Sequence, residues 1–323
     1  MRRREFMTIV SGAAMFAPLS GFAQETGRTY RLGILTVGHR RQSSHDNFFD
    51  ELRRHGFVEG QNLLVDGRGY EARVDQFPAL AAGLAKAEVE AILCSGPAAT
   101  RAGRDATRHI PIIAIVDDMI AAGFVPSLAR PGGNITGISI LAPELDSKRL
   151  DILIELAPNS RRIAALADPN STASPRLQRL QDAAQARGVE LSIHMVDVPE
   201  RIVPAIDEAK RNGAMALNVL ASPMLHLRRG DIIERAATLR LPAIYQWVES
   251  AEEGGLVAYG PRIHQLYRQM ARQLAKVFRG TKPGDLPVEQ PSAFELVINL
   301  KTAKEIGHEI PGVLVLRADA VIE

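Results

Sequence analysis

The chain has 323 residues, 46% hydrophobic and 24% charged, with 26 glycines and 19 prolines, a globular composition long enough for two domains. It carries 39 Lys and Arg against 37 Asp and Glu, and setting aside Arg2, Arg3, Arg4 and Glu5 leaves 36 of each sign. A body without net charge argues against nucleic acid or an anionic membrane as the main partner, because both select a basic surplus.

Residues 1–23 read as a secretory signal peptide: M-R-R-R-E-F, an uncharged stretch from Met7 to Phe22, then Gly21-Phe22-Ala23 with small residues at the cleavage positions. The pair Arg3-Arg4 also fits a twin-arginine export signal. The apolar stretch is too short for a membrane anchor, and no later segment offers ~20 uninterrupted apolar residues. The single cysteine is Cys94, so no lipid-anchor cysteine follows the leader, and the chain from Gln24 is expected to be released as a soluble periplasmic molecule. Cys94 ends the run Ala91-Ile92-Leu93 and is expected to be a buried strand thiol.

From Arg31 onward short apolar runs alternate with segments of helical period, the pattern of parallel strands joined by crossover helices. Strands are predicted at 32–37, 62–66, 90–94 and 112–116, with helices around Phe48 to His55, Gln76 to Ala87 and Ala98 to Arg108. Arg130-Pro-Gly-Gly-Asn134 is the strongest turn signal, and the β-branched run 135–141 follows it. A second series comprises helices at 143–156, 174–187, 199–211 and 225–239, and strands at 162–167, 190–196, 214–220, near Ala243 and near Leu256. Ile263, Leu266, Tyr267, Met270, Leu274, Val277 and Phe278 then trace one apolar helical stripe that stops at Gly280. The rigid Pro283-Gly-Asp-Leu-Pro287 leads to a strand at 294–298. The expected fold is α/β, two Rossmann-like lobes with parallel sheets joined by a multi-strand hinge. Lobe 1 is expected over 28–138 plus about 262–283, lobe 2 over 139–261 plus about 284–323, with the site in the cleft between them.

Several ordered segments resemble one known family. They are Gly56-Phe-Val-Glu-Gly-Gln-Asn62, Ser127-Leu-Ala-Arg-Pro-Gly-Gly-Asn-Ile-Thr-Gly137, Leu241-Pro-Ala-Ile-Tyr245, Gly255-Leu-Val-Ala-Tyr-Gly-Pro261, and the stretch from Leu286 to Gly307 with the ending Leu316 to Glu323. Together they resemble the extracytoplasmic substrate-binding proteins whose better-known members bind tryptophan or tyrosine for an ATP-driven importer. The resemblance implies a type I periplasmic-binding fold with three crossover segments, a small-molecule solute and a membrane permease as partner, while the residues themselves offer no activating constellation, so no cofactor and no enzymatic activity are expected. A monomer is expected. The alternative is an exported ligand-sensing protein that signals to a membrane receptor without transport.

The candidate ligand-binding residues are Ser44, Ser95, Gly96, Asp118, Asn170, Ser222, Tyr245 and Tyr259. Asp118 follows the strand at 112–116 and matches the family's aspartate, although Met119 replaces the usual proline; it either accepts from a ligand ammonium or caps a helix. Ser95-Gly96 joins a strand to a helix opened by Pro97, so free amides there suit a carboxylate. His39, Arg40 and Arg41 in the loop reaching Ser44 are either solvated or at the cleft mouth. Asn170, Ser222, Tyr245 and Tyr259 stand at strand ends of the second lobe, as cleft, turn or core residues. The eight histidines show no metal-binding spacing. Gly67 to Ala72 mimics a dinucleotide fingerprint without opening a helix, and Ser43-Ser-His-Asp46 places triad residue types contiguously, which rarely supplies a triad's geometry.

Overall fold

The computed structural model describes residues 27–323; the leader expected over residues 1–23 lies outside the described residues. The first series runs β1 (Tyr30–Leu35), α1 (Ser43–Arg54), β2 (Leu63–Gly69), α2 (Phe77–Lys86), β3 (Ala91–Ser95), α3 (Pro97–Ala106), β4 (Ile112–Val116) and β5 (Ile135–Ser139). Its strands form one parallel sheet in the order β2-β1-β3-β4-β5. The central strands β3 and β4 are buried along their whole length, which is why they read as unbroken apolar runs rather than alternating ones.

The second series runs α4 (Ala142–Leu156), β6 (Arg162–Ala167), α5 (Ser174–Ala186), β7 (Glu190–Met195), α6 (Ile202–Arg211), β8 (Ala216–Val219), α7 (Pro223–Leu227), α8 (Arg229–Thr238), β9 (Ala243–Tyr245), α9 (Val248–Glu252) and β10 (Val257–Gly260). Next come α10 (Ile263–Phe278), β11 (Glu295–Asn299), α11 (Leu300–Ile306), α12 (Gly312–Arg317) and β12 (Ala320–Ile322). The second sheet has the order β12-β11-β10-β9-β8-β6-β7. It departs from the all-parallel expectation at one seam, because β10 and β11 pair antiparallel. The helix predicted over 225–239 is two helices, α7 and α8, meeting at Arg228.

The chain passes between the sheets three times. The first passage follows β5 and the second follows β10, delivering α10 back to the first lobe. There Leu266, Tyr267, Met270, Leu274 and Phe278 join Phe48, Phe49 and Leu52 of α1 in one buried cluster. Residues 286–289 still belong to the first sheet's edge: Thr136 Oγ1 donates to Leu286 O at 2.8 Å, and the Glu289 amide donates to Gly137 O at 2.9 Å. The third passage therefore follows Glu289 rather than Gly284. Gly137 also permits the close pairing of β5 with β4, since a Cβ there would sit 1.9 Å from Ala114 O. Among the described residues no helix is long and apolar enough to cross a membrane.

Candidate functional site

The carboxyl ends of β1, β3, β4 and β5 face those of β8 and β9, the place where open parallel sheets receive ligands. A cavity lies between them, enclosing about 530 Å³ not filled by protein atoms, counting the part continuous with solvent. Its walls are largely apolar: Val37, Ile115, Val116 and Ile140 from the first lobe, Ala221 and Pro223 from the second, and Ile263 from the start of α10. Polar groups enter from Thr36, Gln42, Ser95 and Asp117 on one side, His226 and Trp247 on the other, and Tyr267 of α10.

Each polar group is positioned by a strand end or a helix start. Ser95 closes β3, and its hydroxyl lies 3.1 Å from the Tyr267 hydroxyl. Gly96 caps α3 at φ 89°, a conformation that favours glycine, and its amide donates to Ile115 O at 2.9 Å. That amide is therefore occupied, Pro97 has no N–H, and Ala98 lines a separate groove, so at this helix start the Ser95 hydroxyl is the polar group that meets the cavity. Ser222 caps α7, accepting from the Met224 and Leu225 amides while donating to Asp168 Oδ2 at 2.7 Å. His226 is buried and held neutral: burial pushes its pKa down to about 3, with Arg229 and His264 adding to the effect.

Asp117 is the one carboxylate lining the cavity among the described residues, and it bonds across the cleft to Arg176 of α5. Arg176 is held from behind by Asp146 of α4, at 2.5 and 3.0 Å. Arg149 completes the cluster, with Nη1 on Asp146 at 2.9 Å and Nε on Tyr259 O at 2.8 Å. Burial raises Asp117 to about 6, against the pull of Arg176, while Asp117 and Asp146 hold the Arg176 guanidinium charged despite its own burial. Two arginines and two aspartates thus neutralise one another, one aspartate coming from the first lobe and three groups from the second.

Of the residues singled out from the sequence, Ser95, Gly96 and Ser222 line this cavity together. Asp118 does not line it; its Oδ1 accepts from the Ile120 and Ala121 amides at 3.0 and 2.9 Å, the capping alternative, and the neighbouring Asp117 points inward. Ser44 is fully buried on α1 without lining the cavity. Tyr245 is packed in the second lobe's core. Tyr259 packs against the other second-lobe cluster, and its carbonyl accepts from Arg149. Asn170 lines a separate groove with Pro78 and Arg101. Arg40 pairs with Glu59 and lies over the Phe49 ring, while His39 lies 2.9 Å from Glu71; neither lines the cavity. Gly67 to Ala72 forms the end of β2 and the turn after it. Sequence reasoning missed Gln42, Asp117, Arg176, His226, Trp247 and Tyr267. Asp117, directly beyond β4, and Trp247, two residues beyond β9, carried a positional signal at strand ends. Among the described residues no cluster of His, Cys, Asp and Glu is placed to hold a metal ion.

A family model described as ABC transporter substrate binding protein matches residues 36–322. A tyrosine-binding protein of Clostridioides difficile is 24% identical over 262 residues, covering 80% of this chain and 75% of that protein. A conserved domain protein from Vibrio cholerae superposes with a TM-score of 0.82 at 23% identity, covering 91% of this chain and 100% of that one. The structure of an ABC domain in complex with L-Trp from Streptococcus pneumonia superposes with a TM-score of 0.78 at 22% identity, with the same coverage.

Proposed function

The chain belongs to the ABC transporter substrate binding protein family, and we propose that it captures an amino acid or aromatic acid between its lobes and presents it to a membrane permease of an ATP-driven importer. The observation that carries this reading is the interlobe cavity itself, apolar along its walls with a single carboxylate, Asp117, at its edge. An amino acid's ammonium binds the Asp117 oxygen not taken by Arg176, a charge-assisted contact. Its carboxylate accepts from the Ser95 hydroxyl just before the start of α3, where the helix dipole favours an anion. Its side chain lies against Ile115, Ile140, Ile263 and Tyr267. A ligand touching both lobes shifts the molecule toward closure, because it binds the closed state better than the open one. The twin-arginine-like leader and the relatives' binding of tyrosine and L-Trp support export and an amino-acid ligand respectively. We place the mature protein in the periplasm.

A thermal-shift screen of the mature protein against amino acids, aromatic acids and other small carboxylates tests this. A ligand at a hundred times its Kd adds about 2.7 kcal/mol to the folded state, a shift of several degrees. Absence of any shift across the amino acids and aromatic acids, with a shift from a sugar or a polycation, overturns the reading.

A further inference from the structure

The contiguous run Ser43-Ser-His-Asp46 supplies no triad, but the fold brings Ser43 a histidine from 221 positions away. The Ser43 hydroxyl, exposed at the start of α1, lies 3.1 Å from Nε2 of His264 in the first turn of α10. Nδ1 of the same ring lies 3.6 Å from Oε1 of Glu249, on α9 of the second lobe. The three side chains therefore stand in the order hydroxyl, imidazole, carboxylate, the order that activates a serine.

Glu249 is 4% exposed, and neither of its oxygens has a well-formed hydrogen bond, so a buried carboxylate is left facing His264 and the start of α10. Burial raises its pKa, while its own amide, the charge of His264 and the amides of Ile263 and His264 pull the other way. A carboxylate at that position fixes the tautomer: Nδ1 carries the proton that faces it, and Nε2 is left to accept from Ser43. Gln42 gives α1 no side-chain cap, and the amides of Ser43, Ser44 and His45 have no helical carbonyl to bind. The end of α1 that carries Ser43 thus offers amide donors to an oxyanion formed there.

We infer that Ser43 is an activated nucleophile, with His264 as its general base and Glu249 as the residue that positions His264, and that the site takes the acyl group of small carboxylic esters. Ser43 Oγ attacks the carbonyl carbon as its proton passes to Nε2; the ester C–O bond then breaks and the leaving alcohol takes that proton. Water hydrolyses the acyl-serine by the same two steps, giving the carboxylic acid and free Ser43. With His264 a third exposed and 3.6 Å from Glu249, the relay is looser than a hydrogen bond, so the site suits aryl esters, whose leaving group needs little protonation. Gln42 and Ile263, the sequence neighbours of Ser43 and His264, line the interlobe cavity, so this site stands at its rim.

The mature protein, treated at pH 8 with a fluorophosphonate probe and separately with 4-nitrophenyl acetate, tests the inference; solute binding is read independently by thermal shift, so either reading can fail alone. Peptide mapping is expected to place the phosphonyl group on Ser43. Ser43→Ala should abolish the label and slow release of 4-nitrophenol at least about tenfold, with the urea midpoint unmoved because the residue is exposed. His264→Gln should slow labelling at least about tenfold. Glu249→Gln should move the pH of half-maximal labelling downward, because the imidazolium loses its neighbouring carboxylate, while His226 of α7 and Arg268 one turn along α10 stay in place. No label, a label on another residue, equal ester hydrolysis by wild type and Ser43→Ala, or labelling of Ser43 at an unchanged rate in His264→Gln overturns the inference. An unmoved pH profile in Glu249→Gln overturns the positioning role of that carboxylate.

Discussion

Asp117 at the end of β4 and Arg176 on α5 form an ion pair that spans the cleft, and Asp146 holds the same guanidinium from the second lobe. The two aspartates are not equivalent. Asp146 and Arg176 stay together however the lobes move, whereas Asp117 meets Arg176 only when the cleft is shut. Removing Arg176 strands the buried Asp117 carboxylate and leaves Asp146 to Arg149 alone, and Arg176→Met is expected to cost about 3–5 kcal/mol of folding stability. Asp117→Asn leaves Arg176 on Asp146 and is expected to cost far less, while enlarging the radius of gyration in solution scattering. Equal losses in urea unfolding would show that the cross-cleft pair, and not the pair within the second lobe, dominates.

Gly96 touches the second lobe directly: a Cβ there would lie 2.7 Å from Cγ of Pro223. Its φ of 89° adds backbone strain for any other residue. Gly96→Ala is expected to weaken binding of the cognate solute by tenfold or more by propping the cleft open. Adding Pro223→Ala should recover part of that affinity but none of the backbone cost. Calorimetry on the single and double variants separates the two effects, and wild-type affinity in Gly96→Ala would dismiss the contact as a closure limit.

Acid should draw on four buried groups, and the part contributed by the two histidines has a definite sign. Burial pushes His45 down to about 4 and His226 to about 3, so each favours folding above its ordinary value of 6.5 and loses that contribution as pH falls. Asp117, raised to about 6, acts oppositely: its contribution is present below about 4 and is lost as pH rises through 6. Glu249, also raised by burial, acts in the same sense as Asp117, so two carboxyls oppose the two histidines, and His45 alone accounts for a loss of roughly 1.4 kcal/mol per pH unit between pH 6 and 4. Urea unfolding at pH 7, 6, 5 and 4 of the wild type and of His45→Gln measures it, and the variant is expected to lose less stability on acidification by that amount. Parallel stability profiles for the two proteins across this window would contradict the assignment.

Cys94 should be silent in the native protein. It is fully buried on β3, burial raises its thiol pKa well above the usual range, and a Cβ on Gly103 would sit 3.2 Å from its sulfur. An aromatic disulfide reagent is expected to release one equivalent only after denaturation. Prompt native reaction would mean that β3 and α3 separate readily.

The sheets and the α10 stripe were legible because burial imposes a period on the residues that form them. Ile263 to Phe278 shows its apolar face without any knowledge of what it covers. The cleft was legible only where backbone geometry leaves a local mark, as in Ser95-Gly96-Pro97 or the cap at Ser222. Gln42 and His226 leave none: they lie at the start of α1 and on α7, and only lobe pairing brings them to one cavity. Asp117 and Asp118 illustrate the limit further. Adjacent identical side chains leave a strand in opposite directions, and a one-residue difference decides which one caps a turn and which one faces a ligand.

The return of α10 to the first lobe has a consequence during synthesis. Asn47 on α1 bonds Arg268 on α10 at 2.5 Å, across 221 positions of sequence. At about 5–20 residues per second a ribosome needs roughly 10–45 s to travel between them. For that interval Phe48, Phe49 and Leu52 have no permanent cover, although the first sheet is already made. A nascent chain stalled before residue 263 should therefore recruit holding chaperones and resist native-like protection from protease. Release of α10 should end both behaviours together.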